Sequence, residues 1–358
     1  MSAVVDTGLR RDDVAAAAEW LRERVVRTPV IRSTALDRIA GARLWLKAEN
    51  LQTSGSYKFR GATRAIGRIA QHGRHRGAIA QSTGNHALAV AVAAARYGLA
   101  ATTVLPVDAS PTKIAGIEAS GGRVILAGTT VEERLEVVER LRAESGDAVV
   151  DAYDHPDVIA GQGSATWELV AEAARHGTRL GAVVVPVGGG GGVAGACLAV
   201  EGQDTAVYGV EPVGCDSLGR SLSGGRRISV PPAPTLAEGL RPSLVGRLPF
   251  EITRERIAGV VRVDDDDIAA AVCLALFHGK LLVEPSGAAG LAGALRVAAA
   301  GSFDDIGVVL TGGNAEPAMI AGLVAEYGAV TRVDHRPPDR ASPGTTRQHS
   351  TAGTESRT

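Results

Sequence analysis

The chain has 358 residues, 45% of them apolar and 3% aromatic, enough to build one large or two medium soluble domains. Its 38 Lys plus Arg stand against 39 Asp plus Glu, a net charge of -1, so nothing electrostatic argues for nucleic acid or an anionic membrane as partner. No apolar run approaches the ~20 residues of a membrane span, and the N-terminus lacks a signal peptide's basic-then-apolar order, so a cytoplasmic location is expected.

Residues 11–27 read as a first helix, with Asp12 and Asp13 as caps and Val14, Ala17, Leu21 and Val25 at helical spacing. Thr28-Pro29 ends it. From there to Val333, short β-branched runs (77–81, 101–105, 124–126, 182–187, 206–210 and 307–310) alternate with Ala-rich helical patterns. That alternation predicts an α/β fold with open parallel sheets covered by helices. No repeat of 20 to 50 residues is visible. The segment 335–358 is rich in Pro, Ser, Thr, Gly and Arg without apolar periodicity and reads as a disordered tail. Cys197, Cys215 and Cys273 are odd in number and widely spaced, which fits reduced packing thiols better than disulfides or a zinc site.

The chemistry is expected in Glu-Asn-Leu-Gln-Thr-Ser-Gly-Ser-Tyr-Lys-Phe-Arg-Gly-Ala, residues 49–62. Only four lysines occur in the chain (Lys47, Lys58, Lys113 and Lys280), so one kept between Tyr57 and Phe59 needs a reason. An amine packed against aromatic rings is poorly solvated, and in its neutral form it attacks an aldehyde to give a Schiff base. The alternative is a lysine that snorkels from the start of a helix.

Three further motifs follow. Gln81-Ser82-Thr83-Gly84-Asn85-His86 joins a strand to an Ala/Val-rich helix ending at Gly98, a junction whose free amides and helix dipole suit a carboxylate, or else a plain capping sequence. Gly188-Gly189-Gly190-Gly191-Gly192 lies between the strand 182–187 and a helix over 193–201, where amides without Cβ atoms around them can converge on an anion, or else form a flexible turn. Leu310-Thr311-Gly312-Gly313-Asn314 ends a strand, so Thr311 points from a carboxyl edge where α/β folds bind ligands, unless it is a simple turn.

Residues 49–62 resemble the cofactor-lysine signature of the serine/threonine dehydratases, fold type II pyridoxal-phosphate enzymes of tryptophan-synthase-β-like fold, a family that includes serine racemase. The similarity runs from about Thr28 to Val333, with the three other motifs in the family's order. It implies that Lys58 holds pyridoxal 5'-phosphate and that Gly188, Gly189, Gly190 and Gly191 bind its phosphate. Asn85 would face the cofactor's 3′-oxygen, Thr311 its pyridine nitrogen, and Glu284 the pocket. The loop Ser82, Thr83, Gly84, Asn85 and His86 would bind the substrate carboxylate. His86, taken alone, reads as a structural hydrogen-bonding residue, and Ser286 as a capped helix start beside Glu284.

A hydroxyl at the pyridine nitrogen leaves that ring a weaker electron sink than an aspartate would, which favours rapid loss of a β-substituent. The resemblance therefore implies β-elimination of a β-hydroxy amino acid such as threonine or serine to a 2-oxo acid and ammonia, with racemisation or a hydroxyaspartate dehydratase as alternatives and a non-catalytic binding protein as the last. Racemisation needs a second acid/base opposite Lys58, a place that falls to Thr83. By the same resemblance Arg134 lines the substrate cleft, although charged residues in the helical stretch 131–142 read equally as a solvated face. Glu211 falls where some relatives bind magnesium, but Ser217 stands in the second carboxylate's place and Asp216 is one position early, so a metal is doubtful. Family organisation implies a large domain of residues 1–69 and 153–334, a small domain of 70–152, and a homodimer.

Overall fold

The β-branched runs and Ala-rich segments alternate as strands and helices in a computed structural model that describes residues 7–82 and 84–329. Ten strands occur among the described residues: β1 (Val30–Ile31), β2 (Arg43–Ala48), β3 (Gly77–Gln81), β4 (Ala100–Leu105), β5 (Arg123–Leu126), β6 (Ala148–Val149), β7 (Ala182–Pro186), β8 (Ala206–Pro212), β9 (Gly259–Val263) and β10 (Asp305–Leu310). They form a six-stranded sheet in the order β1-β2-β10-β7-β8-β9 and a four-stranded sheet in the order β5-β4-β3-β6. Every pairing is parallel except that of β1 with β2. Helices cover both faces of the larger sheet, which is why β7 and β10 are buried at every position and, past Asp305 at the start of β10, carry no charged residue.

One face of the larger sheet packs Leu44, Leu46 and Val184 against Leu291 and Val272. The other sets Trp45, Val183 and Val185 against Leu169 and Leu198. On the smaller sheet, Phe59 and Ile66 of the helix Lys58–His72 pack with Val90 of the helix Asn85–Arg96. A domain division at residue 70 therefore runs through the helix that begins with Lys58.

Register brings the motifs together. Leu310 pairs with Ala48, so Thr311 and Glu49 leave the larger sheet side by side. Pro186 pairs with Val210, which sends the glycine run out of the same edge. In the smaller sheet Ile79 pairs with Val149, so Ser82 and Ala152 both emerge from its carboxyl edge.

Under the helix Lys58–His72 lies a buried ionic cluster. Arg60, 0% exposed, donates through Nε and Nη2 to Glu49 at 2.8 and 2.9 Å and through Nη1 and Nη2 to Glu168 at 2.8 Å each. Glu168 also accepts from Lys47 Nζ at 2.7 Å, and the Thr28 hydroxyl donates to Glu49. Two cations and two carboxylates cancel, so each desolvated charge keeps a partner.

Several sequence expectations need correction. The first helix spans Arg11–Leu21 rather than 11–27, because residues 22–24 bring nothing apolar to bury. Asp12 and Asp13 lie in its first turn, where Asp13 accepts the Arg10 amide at 2.8 Å instead of forming the cap itself. The short strands β1, β2, β6 and β9 carried no clear period and are found only in the fold. All three cysteines are buried, and burial pushes the Cys197 thiol up to about 12. The expected tail at 335–358 lies outside the described residues, among which no helix is long and apolar enough to cross a membrane.

Candidate active site

Lys58 is the first residue of its helix and stands where the carboxyl edges of the two sheets converge. The Tyr57 amide donates to the Thr311 carbonyl at 2.9 Å, and an isolated bridge joins Ser56 to Gly312, so the end of β10 fixes the start of the helix. Lys58 Nζ donates to the Ala152 carbonyl at 3.0 Å. Burial pushes this amine down to about 8, with Asp151 opposing the shift. Of the two aromatic neighbours, only Tyr57 faces it, with its ring centroid 5.4 Å from Nζ. Phe59 is turned into the smaller sheet's core, as helical residues about 100° apart on the axis must diverge. The other lysines are engaged elsewhere: Lys47 with Glu168, Lys113 with Glu238 at 2.8 Å, and Lys280 with the Phe277 carbonyl.

Opposite the lysine is a chain of amides and one carboxyl. Asn85, first residue of its helix, donates Nδ2 to Glu284 Oε1 at 2.6 Å and accepts from Asn314 Nδ2 at 2.8 Å. Glu284 precedes the helix Pro285–Ala299 without capping it by its side chain, which leaves the carboxyl to face Asn85. Burial pushes it up to about 7, against the opposing hydrogen bond from Asn85. Ser286 is not the helix cap; its hydroxyl accepts the Gly239 amide at 2.9 Å. Any Cβ on Gly312 would overlap the Glu284 carboxylate, so the close approach requires glycine there. Thr311 is buried beside this group.

The glycine run forms the third wall. Gly190 has φ +92°, a conformation that favours glycine, and its carbonyl accepts the Ala194 amide as the helix Gly191–Ala199 begins. The amides of Gly191, Gly192 and Val193 therefore lie in the first turn without intrahelical acceptors. The helix starts two residues earlier than its expected bound at 193, which places the glycines themselves at its positive end. Close neighbours require glycine here: a Cβ on Gly189 would overlap the Tyr153 ring, and one on Gly191 would lie 2.9 Å from Gln162 Oε1. First-turn amides without intrahelical acceptors, on glycines that carry no Cβ, fit a phosphate.

The substrate loop is partly seen. Ser82 Oγ accepts the Gly84 amide at 3.1 Å and shapes the turn into the helix. Thr83 lies outside the described residues. His86 is buried, donates Nε2 to the Val150 carbonyl at 2.9 Å, and is driven by burial down to about 3. Its place in the substrate loop is therefore that of a neutral structural residue, because the nitrogen that could donate is already used. Arg134 is 3% exposed rather than solvated. It turns inward and donates Nε to Gln81 Oε1 at 3.2 Å, one residue before Ser82.

The doubtful metal site does not assemble. Glu211 spends both oxygens on the amides of Leu218 and Gly219, at 2.7 and 2.9 Å, as the acceptor at that helix's start. Asp216 pairs instead with Arg220 at 2.9 Å and Arg262 at 3.5 Å. No group of three or more His, Cys, Asp or Glu among the described residues is placed to hold a metal.

Sequence reasoning missed Asn314, Tyr153 and the Ala152 carbonyl. Asn314 sits within a motif that was recognised, so its signal was present. A carbonyl carries no sequence signal, and Tyr153 reaches the glycines only because the smaller sheet delivers it there.

Comparison with known proteins gives the chain its relatives. The chain matches the family described as pyridoxal-phosphate dependent enzyme over residues 21–312. It is 35% identical to the L-threo-3-hydroxyaspartate ammonia-lyase of Saccharomyces cerevisiae, covering 87% of this chain and 95% of that one. It is 34% identical to a serine racemase of Oryza sativa, covering 82% and 87%. A solved T.th. threonine deaminase superposes with TM-score 0.80 at 40% identity, over 85% of this chain and 98% of that one. The chain belongs to the fold type II pyridoxal-phosphate-dependent enzymes.

Proposed function

We propose that the protein is an ammonia-lyase that eliminates the β-hydroxyl of a hydroxy amino acid as water, the resulting enamine then taking water back as it hydrolyses to a 2-oxo acid and ammonia. The carrying observation is the Lys58 amine, held at a carbonyl rather than a carboxylate and brought down to about 8. Pyridoxal phosphate, when bound, supplies the electron sink that stabilises negative charge at the substrate's Cα. Gly188 to Gly191 would hold its phosphate through backbone amides, Asn85 would serve its 3′-oxygen, and the Thr311 hydroxyl its pyridine nitrogen. Lys58 takes the Cα proton as general base, the role for which an amine near neutral pKa is suited. The loop Ser82 to His86 would bind the substrate carboxylate at its helix N-terminus, where the Asn85 and His86 amides lie in the first turn without intrahelical acceptors.

Similarity to a hydroxyaspartate ammonia-lyase and a threonine deaminase supports elimination. The inward Arg134, next to the substrate loop through Gln81, favours a polar or anionic β-substituent, since a guanidinium pairs bidentately with a carboxylate. Racemisation is the second reading, supported by the likeness to serine racemase and by the hydroxyl of Thr83 as second acid/base. Serine, threonine and threo-3-hydroxyaspartate assayed for 2-oxo acid, with chiral analysis of the remaining amino acid, separate these. Elimination should dominate, and Thr83→Ala should abolish any D-serine while sparing most of the lyase rate. D-serine formed faster than pyruvate would make the enzyme a racemase, and absence of any product from cofactor-loaded protein would make it a non-catalytic binder.

A further inference from the structure

The residue before the lysine carries a hydroxyl to the opposite end of the site. Tyr57 is anchored by its amide on the Thr311 carbonyl, at the wall assigned to the pyridine nitrogen. From there its ring runs across the floor to the glycine run, where a Cβ on Gly192 would lie 2.8 Å from Cε2 and 2.9 Å from the hydroxyl oxygen. Gly192 is the second residue of the helix Gly191–Ala199, in the turn whose amides lack intrahelical acceptors. The phenol oxygen is thus set at the mouth of the anion cradle, and it makes no hydrogen bond to another described residue.

Burial raises the Tyr57 hydroxyl above its ordinary range, with no opposing charge, so it stays protonated at any working pH. A neutral phenol is a donor that a phosphate oxygen accepts readily, and a hydrogen bond to an ionised acceptor is among the stronger ones. The ring alone would serve as an apolar floor. Placing the oxygen against the first helical turn is what separates tyrosine from phenylalanine at this position.

Resting on the cofactor assignment above, we propose that the Tyr57 hydroxyl donates a hydrogen bond to the phosphate held by Gly188–Gly192, adding a side-chain donor to a cradle of backbone amides. Tyr57 is then a cofactor-binding residue as well as a neighbour of the lysine. Its hydroxyl discriminates a phosphorylated cofactor from the same ring without phosphate.

The test uses Tyr57→Phe, which keeps the ring, with folding checked by thermal melting. Apoprotein is titrated with pyridoxal phosphate, with pyridoxal and with inorganic phosphate, and the loaded proteins are compared by phosphorus NMR. Loss of one hydrogen bond to a charged group should raise Kd for pyridoxal phosphate about 10-fold while pyridoxal changes by less than about twofold. Inorganic phosphate should also bind more weakly, and the bound phosphorus resonance should move. Equal weakening of pyridoxal phosphate and pyridoxal, or no change in any of these, would leave Tyr57 as packing alone and overturn the proposal. If the unmodified protein binds neither pyridoxal phosphate nor phosphate, the cofactor assignment itself falls and takes the proposal with it; an unchanged variant of a parent that binds removes Tyr57 only.

Discussion

Lys47 and Lys58 are eleven positions apart, and burial lowers the pKa of both, yet the fold gives them opposite tasks. Lys47 is 1% exposed, with Glu168 at 2.7 Å, Glu49 at 3.9 Å and the Thr28 carbonyl at 2.6 Å. Two carboxylates resist the deprotonation that burial favours, so Lys47 remains a charged member of the cluster that includes Arg60. Lys58 is part-buried and, among the described residues, its amine hydrogen-bonds a carbonyl, with Asp151 acting at a distance. The difference teaches that desolvation alone does not make a nucleophile. The amine must also lack a carboxylate partner.

Exchanging the two lysines' roles is the hardest test of that comparison. Lys58→Ala should lower 2-oxo acid formation by about 10³-fold or more, as loss of a covalent nucleophile and base does. Borohydride reduction of the loaded protein should fix the cofactor on Lys58. Recovery on Lys47 would destroy the comparison. Only the neutral amine reacts, so reloading of the apoprotein should accelerate about tenfold per pH unit below a plateau that begins near 8, the folded pKa of Lys58.

The cluster side is broken by Arg60→Ala, which leaves Glu49 and Glu168 buried without their main partner and should cost about 3–5 kcal/mol in urea unfolding. Lys47→Met leaves Glu168 on Arg60 and should cost only about 1–3 kcal/mol. Equal losses would mean that Lys47 is as central as the arginine. The Glu168 carboxyl is held below its ordinary value, chiefly by Arg60 against the effect of burial. For a depressed acid, stability is present above the ordinary pKa of 4.5 and fades as pH falls through the folded value. Acid should therefore narrow the gap between the parent and Arg60→Ala.

Arg134→Ala sharpens the cleft side and should raise KM for the true substrate about 10-fold, the effect of one lost charge-assisted hydrogen bond. Unchanged KM across the substrate panel would return Arg134 to a purely structural tie with Gln81. The smallest effect belongs to Glu284→Gln, which mimics the protonated acid. A carboxyl raised from 4.5 to about 7 costs stability progressively as pH climbs through that window. The variant should match the parent's melting temperature at pH 5 and exceed it at pH 8. A lower melting temperature at pH 8 would show that Glu284 is needed as the anion.

Parallel strands and covering helices were legible in the residues because buried β-branched runs and Ala-rich amphipathic segments have different periods. Motifs at strand ends were legible for a related reason, since glycine, threonine and asparagine cluster where the chain turns at a carboxyl edge. Two-residue strands such as β1 and β6 were not, because so short a segment shows no period and forms only when a neighbouring strand offers hydrogen bonds. Arg134 gave the wrong impression as a surface residue because the apolar stripe of its helix is weak, and only docking on β3 shows which face turns inward.

The sequence by itself determined the alternating architecture and where in it the Lys58 motif and the glycine run fall, since each depends on side-chain chemistry or backbone freedom written at one place in the chain. Only the tertiary structure decided which lysine is held by carboxylates, which oxygens of Glu211 are already spent, and where the Tyr57 hydroxyl ends. Those outcomes depend on neighbours far off in sequence: Glu168 lies 121 residues from Lys47, and Glu284 lies 199 from Asn85. Burial and distance set the charge on each group, and neither exists until the two sheets meet.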